Sequence, residues 1–227
     1  MGGLGKYILG EIDSMHDFRY VSKKEAAPVK ADLLDLIHEV QDEVRDKFTF
    51  QYEFVGSASR NMITYDAKSN VGYDFDVNFE VNDDDNNYTP KQIRTIIRNA
   101  IDKFAPLHGY DYCEDSTRVL TIKQKDYKHA KILHSCDFAV VNNCDDGQQY
   151  IHFNKGTNRY TWEFQGEGFE SLPDKIDWLK ENDLWKDLKD YYIEKKNKNN
   201  NPDKHSRSIF AESVNEMCQK HGYFEEY

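Results

Sequence analysis

At 227 residues the chain is long enough for one large domain, or for a core with a helical annex, and 38% hydrophobic with 14% aromatic residues supplies a packed interior. Its 41 acidic against 30 basic residues leave a formal net charge of -11, which argues against a basic groove gripping a long nucleic acid by its phosphates. No apolar run approaches the roughly 20 residues that cross a bilayer, there is no secretory layout at the N-terminus, and Cys113, Cys136, Cys144 and Cys218 show no CxxC spacing, so a reduced, cytoplasmic protein without a membrane partner is expected.

The opening from Met1 to Lys6 is glycine-rich but follows no strand, and reads as a flexible end rather than a phosphate loop. From Pro28 to Phe48, Leu33, Ile37, Val40, Val44 and Phe48 recur every three or four residues, which predicts an amphipathic helix. Thr49 to Val55 is aromatic and β-branched and predicts a strand running into Gly56-Ser57. Tyr73 to Val81 alternates, with Asp74, Asp76, Asn78 and Glu80 on one face and Phe75, Val77, Phe79 and Val81 on the other, as a half-buried strand with an acidic face does.

Thr89, Pro90 and Gln92 form a capping box that opens a second helix, with Ile93, Ile97, Ala100 and Phe104 as its buried stripe. Strands are predicted over Arg118 to Gln124 and Lys131 to Val141, then a hairpin of Tyr150 to Asn154 and Arg159 to Gln165 around Lys155-Gly156-Thr157-Asn158. Helical periods follow at Ile176 to Leu179, Leu184 to Tyr192 and Ile209 to Met217, while the Asn- and Lys-rich run from Lys195 to Lys204 reads as an exposed loop. The fold class expected is α+β, a mixed-sheet core over residues 1–170 with a helical C-terminal part over 171–227 packed on it.

Three features carry chemistry: the Gly56-Ser57 turn after a strand, Asp74-Phe75-Asp76 in the next strand, and Asp137 inside Cys136-Asp137-Phe138-Ala139-Val140. In Asp-x-Asp on a strand both carboxylates project to one side and can share divalent cations. An ionised side chain within an apolar strand is costly unless it faces a cation or a partner, so Asp137 is a candidate third acid for a two-metal site. Gly56-Ser57 offers close backbone approach, amide donors and a hydroxyl for the β- and γ-phosphates, especially if Ala58 to Met62 begins a short helix.

Phe54-Val55-Gly56-Ser57-Ala58-Ser59-Arg60-Asn61, the Asp-x-Asp strand and the distant third carboxylate together resemble the nucleotidyltransferase superfamily with the DNA polymerase beta fold. The nearest branch is that of oligoadenylate synthetases and bacterial cyclic-nucleotide synthases, and the matched stretch runs from about Leu33 to Val141. The resemblance implies that Asp74, Asp76 and Asp137 are catalytic and hold two Mg²⁺ or Mn²⁺ ions, and that Gly56, Ser57 and Arg60 contact a nucleoside triphosphate. The spacer from Ala58 to Tyr73 is longer than usual for the family, and Asn61-Met62 stands where the synthase branch has Gly-Thr.

The expected activity is therefore transfer of a nucleoside monophosphate from a triphosphate to a hydroxyl, with pyrophosphate released. The acceptor is a nucleotide, giving a second messenger, or a small molecule or protein. The rival expectation is a nucleotide-binding interaction protein of the same fold that does not turn over. Asp83-Asp84-Asp85 lacks the ligand spacing of a calcium loop and reads as a solvated turn. Tyr150, Tyr160 and Trp162 read as core or cross-strand aromatics, and His129 and His134 as structural histidines. Among Lys131, Arg159 and Arg207 the sequence gives no choice of phosphate partner.

Overall fold

The computed structural model describes residues 15–83, 86–166 and 171–223; the Met1 to Lys6 opening and Asp84 and Asp85 lie outside the described residues. Helix α1 spans Lys23–Val44 and begins earlier than Pro28, because Ser22 and Glu25 close a capping box that the sequence reading passed over. The Ser22 hydroxyl accepts from the Glu25 N–H at 3.2 Å while the Glu25 carboxylate accepts from the Ser22 N–H at 3.0 Å. Its apolar stripe of Leu33, Leu36, Ile37, Val40 and Val44 is buried, which is the tertiary packing that sustains Pro28 inside the helix.

Strands β1 (Phe18–Tyr20) and β3 (Thr64–Asp66) pair antiparallel as a small separate sheet, β3 arising within the long spacer. Neither was predicted, since three residues are too few to display an alternation. The large sheet is mixed. Its path runs from β2 (Thr49–Val55) through β4 (Tyr73–Asn82), β7 (Lys131–Cys144) and β6 (Val119–Asp126) to β5 (Glu114–Asp115). Strand β8 (Gly147–Asn154) pairs with the end of β7, and β9 (Arg159–Phe164) pairs with β8. The predicted hairpin is therefore present, but β8 starts three residues earlier than Tyr150, because Cys144 and Gly147 face each other across a tight turn from β7.

Among these pairs β4 and β7 alone run parallel, Tyr73 to Glu80 against His134 to Val141. Gly72 pins that register: a Cβ there would sit 1.9 Å from the Leu133 carbonyl oxygen, a separation no side chain tolerates. The even-numbered members of β7, Cys136, Phe138 and Val140, join Phe75, Val77 and Phe79 in the core beneath α1 and α3 (Pro90–Phe104). Helix α3 carries the predicted capping box, with Thr89 and Gln92 exchanging hydrogen bonds.

A 3-10 turn, Ala105–His108, ends α3 and presents His108 to α1, where Nδ1 meets Asp32 at 2.7 Å and Nε2 meets Glu39 at 2.9 Å. Burial pushes the imidazole pKa down, the two carboxylates push it up, and the net direction is upward from 6.5. A raised folded pKa stabilises the fold fully below the unfolded value and loses that contribution as pH rises through the folded one. We expect the stability gap between wild type and His108→Gln, followed by urea midpoints, to be widest below pH 6.5 and to close toward pH 9; a gap that widens with pH would contradict the clamp.

The annex consists of α4 (Leu172–Glu181), α5 (Trp185–Lys198) and α6 (Ser206–His221), around Leu179, Leu188, Tyr192, Ile209, Phe210, Val214 and Met217. Met62, from the spacer, belongs to this same apolar cluster. The seam is tied by Tyr20 Oη donating to the Lys189 carbonyl at 2.7 Å and by Asn197, whose amide bonds both backbone groups of Phe18. Helix α5 corrects the loop expected from Lys195 onward: residues 195 to 198 are its last turn, where cations suit the helix C-terminus, and Lys196 is buried.

Candidate active site

Strand pairing alone brings the predicted acids together. Asp76 of β4 stands beside Asp137 of β7, and Asp74 stands beside Ser135, so the carboxylates from two distant segments share one face of the sheet. On the next strand Thr121 faces Asp137 and Lys123 faces Ser135. On the other side Val55, the last residue of β2, faces Asp76, which delivers the Gly56–Ser59 turn of helix, α2, to the same place.

Gly56 has φ +63, and a Cβ on it would lie 2.6 Å from Oδ2 of Asp76. Both facts demand glycine, one for conformation and one for close approach. Gly56→Ala is expected to cost about 1–2 kcal/mol for the left-handed backbone, with Asp76 displaced. An unchanged urea midpoint would contradict this.

The electrostatics are those of crowded anions. Burial first, then the neighbouring Asp137 and Asp74, push the Asp76 carboxyl up to about 6 against the pull of Arg60. Burial likewise raises Asp137, against the Thr121 hydroxyl that donates to its Oδ1 at 2.5 Å. The Ser135 hydroxyl donates to Oδ1 of Asp74. Like charges held at this proximity on hard carboxylate oxygens suit a divalent cation.

Among the described residues no group of three or more His, Cys, Asp or Glu side chains forms a ready metal cage. Magnesium sites built from one or two carboxylates plus substrate phosphates do not require one, and in that sense Asp74, Asp76 and Asp137 fit the ion.

Arg60 lies with its guanidinium 4.4 Å over the ring of Phe210 in the annex, its Nε buried without a hydrogen-bond partner. It therefore stands at the seam, within the fields of Asp76 and of Arg207. Of the three cations the sequence left open, Arg207 is thus the one near this seam, whereas Lys131 and Arg159 are exposed on strand ends. Tyr160 stacks on Phe153 with ring centroids 4.3 Å apart, Tyr150 lies under Arg118, and Trp162 packs on the core, so these aromatics are structural. His134 is buried against Tyr110, and His129 pairs with Asp126.

Lys196 is the group the sequence reading missed. Its ammonium donates to Thr64 Oγ1 at 2.6 Å and lies 4.2 Å from the centre of the Phe18 ring. Burial pulls its pKa down to about 8, against the fields of Asp74 and Asp66. The signal that reveals it is the spacing of Leu188, Tyr192 and Lys196 at four-residue steps along one buried helix face.

No protein-family model matches the sequence, and no curated protein matches it. Solved structures do. The cyclic AMP-GMP synthase DncV of Vibrio cholerae, described as a prokaryotic cGAS homolog, aligns with a TM-score of 0.57 and 13% identity over 86% of this chain and 67% of that one. The chain has the nucleotidyltransferase fold of the DNA polymerase beta type. A STING-associated CdnE c-di-GMP synthase from Capnocytophaga granulosa shows the same nucleotidyltransferase fold, with a TM-score of 0.56 and 18% identity over 89% of this chain and 63% of that one. Escherichia coli DncV, bound to 3'-deoxy GTP, gives 0.52 and 18% over 87% and 53%. The present chain spans about half the length of the DncV structures holding 3'-deoxy ATP or GTP, 52% in each case.

Proposed function

We propose that this chain is a nucleotidyltransferase that moves a nucleoside monophosphate from a nucleoside triphosphate to the hydroxyl of a second nucleotide, making a nucleotide second messenger. The observation that carries the reading is the register that sets Asp76 beside Asp137, with Asp74 two residues earlier, opposite the Gly56-Ser57 turn. Likeness of fold to cyclic-dinucleotide synthases supports the class of product.

In this reading the hydroxyl and amides of the Gly56-Ser57 turn hold the β- and γ-phosphates, and Asp74, Asp76 and Asp137 hold two Mg²⁺ or Mn²⁺ ions. The ions, when bound, offset charge on the departing pyrophosphate and activate the attacking oxygen. Asp137, whose pKa is raised, accepts the proton as the hydroxyl oxygen bonds to the α-phosphorus and the bond to pyrophosphate breaks. Lys196 and Arg60 supply positive charge from the annex side, and helices α4, α5 and α6 act as a unit closing the site. Cys113, Cys136 and Cys218 as buried free thiols fit a reducing, cytoplasmic setting, and among the described residues no helix is long and apolar enough to cross a membrane.

Lys196 also favours a second reading, a nucleotide-binding protein without turnover, because its ammonium can offset the charge of Asp74 without a metal ion. Pyrophosphate release from each of the four triphosphates with Mg²⁺ or Mn²⁺, beside Asp74→Asn/Asp76→Asn and with products weighed by mass spectrometry, separates the two. Release that the double variant abolishes supports the enzyme, and the product mass identifies a nucleotide, small-molecule or protein acceptor. Triphosphate binding without release supports the second reading, and neither binding nor release sinks both.

A further inference from the structure

A groove of about 450 Å³ lies between the 3-10 turn that follows α3 and the β6–β7 hairpin. Tyr110, Tyr112 and Tyr127 line it with Asp111, Glu114 and Lys125. Tyr110 is buried, but Tyr112 and Tyr127 are 71% and 76% exposed, an unusual use of two large rings beside one depression. The second of them is held in place: the Tyr127 hydroxyl donates to Oδ1 of Asp111 at 2.5 Å, and Lys125 grips the other oxygen of the same carboxylate at 2.6 Å. Glu114 accepts from Lys123 at 2.6 Å and faces Thr121, the residue whose hydroxyl donates to Asp137. One edge of the groove is thus two side chains away from the carboxylates.

The lining selects its ligand by chemistry. An apolar chain would strip water from Asp111 and Glu114 while offering no donor to the lone pairs that Tyr127, Lys125 and Lys123 leave open, and a bare anion would meet two carboxylates while making no use of the rings. A flat heterocycle uses both: its faces stack on tyrosine, its amino and ring N–H groups donate to carboxylate oxygens that retain free lone pairs, and its ring acceptors face the Lys125 ammonium.

We propose that this groove binds a nucleobase, at a subsite adjoining the carboxylates and distinct from them. The choice of a nucleobase among flat heterocycles rests on the nucleotidyl-transfer reading; the groove itself does not. Two sources of the base share this chemistry, the acceptor nucleotide of the reaction and a free nucleotide acting as effector.

The first test is direct binding of AMP, GMP, CMP and UMP to the full chain in EDTA, where the carboxylates hold no cation. Wild type and Asp74→Asn/Asp76→Asn are expected to bind at least one base alike, and Tyr112→Ala/Tyr127→Ala to lose about tenfold or more in affinity. Tyr112→Phe/Tyr127→Phe, which keeps both rings, is expected to stay near wild type, which separates stacking from misfolding. No binding of any monophosphate at millimolar concentration, or equal affinity in the alanine variant, overturns the proposal. Because this assay needs neither metal nor turnover, its failure is distinguishable from failure of the enzymatic reading. In turnover, an alanine variant with a raised KM for the acceptor and an unchanged kcat identifies the acceptor as the source. Unchanged kinetics with lost modulation by added monophosphate identifies an effector.

Discussion

Asp76→Asn is expected to lower nucleotidyl transfer by roughly three orders of magnitude or more while making the metal-free protein more stable at pH 8. The two effects have one origin. The Asp76 carboxyl is held at about 6 in the fold against 3.8 for an unperturbed group, because it is buried beside Asp137 and Asp74. Between those values the folded chain keeps a proton that the unfolded chain has released, so stability falls as pH rises from 3.8 to about 6. The deficit, on the order of 3 kcal/mol at about 1.4 kcal/mol per pH unit, is complete above that range. Asparagine removes it.

Urea midpoints of the two proteins in EDTA should therefore converge near pH 4 and separate near pH 8, with the variant ahead. Added Mn²⁺ should raise the wild-type midpoint more than that of the variant, since only a ligand favouring the folded site stabilises it. A variant less stable than wild type at pH 8, or one that still releases pyrophosphate at the wild-type rate, would take Asp76 out of the proposed role.

Arg94→Met is expected to cost about 3–5 kcal/mol of unfolding free energy, the loss typical of breaking a buried ion pair from one side. Arg94 is 1% exposed, yet all of its polar reach is used. Nε donates to Asp115 at 2.9 Å, Nη1 to the Ile151 carbonyl at 2.8 Å, and Nη2 to the carbonyls of Ser116 at 2.6 Å and Val119 at 2.9 Å. Methionine fills much the same volume but withdraws a donor from the Ile151, Ser116 and Val119 carbonyls, of which the last keeps the Ser116 amide at 3.0 Å and hydroxyl at 2.8 Å, and it leaves a nearly buried carboxylate with the Tyr160 hydroxyl at 3.1 Å. Arg94→Lys keeps the charge without the planar fork, and should fall between the two. Since these bonds tie α3 to β5, β6 and β8, the far edge of the sheet should loosen first, visible as faster amide exchange at Val119 and Leu120. A loss below about 1 kcal/mol for the methionine variant would show that the network relaxes around the gap.

The long elements were legible in the sequence wherever one periodicity was uninterrupted. Helices α1 and α3 and strand β4 declared both their type and their buried face, and Asp137 was conspicuous because an acid in an apolar run requires a reason. What the sequence does not carry is partnership. That β4 lies parallel to β7, with Asp76 against Asp137, follows from a crossover and from the fit of Gly72 against Leu133, neither of which local spacing encodes. The three-residue β1 and β3 are stabilised by each other and by the annex, so no local signal precedes them.

Lys196 was hidden by composition, the buried member of a run of Lys and Asn whose other residues are half-buried or exposed. The resemblance placed Arg60 near a triphosphate from its position after Gly-Ser; that its guanidinium also lies against Phe210 is a contact set by a helix nearly at the other end of the chain, which local spacing does not encode.

Met62 lends its side chain to the apolar cluster of the annex although its backbone follows the Gly56-Ser57 turn at once, its N–H bonding the Ser57 carbonyl at 2.9 Å. The two clusters consequently share a covalent hinge that neither can release alone. Thermal unfolding should proceed as a single transition, with the turn and the annex helices losing amide protection together, and a lesion deep in the annex should be felt first as a loosening of the turn rather than as a detached tail.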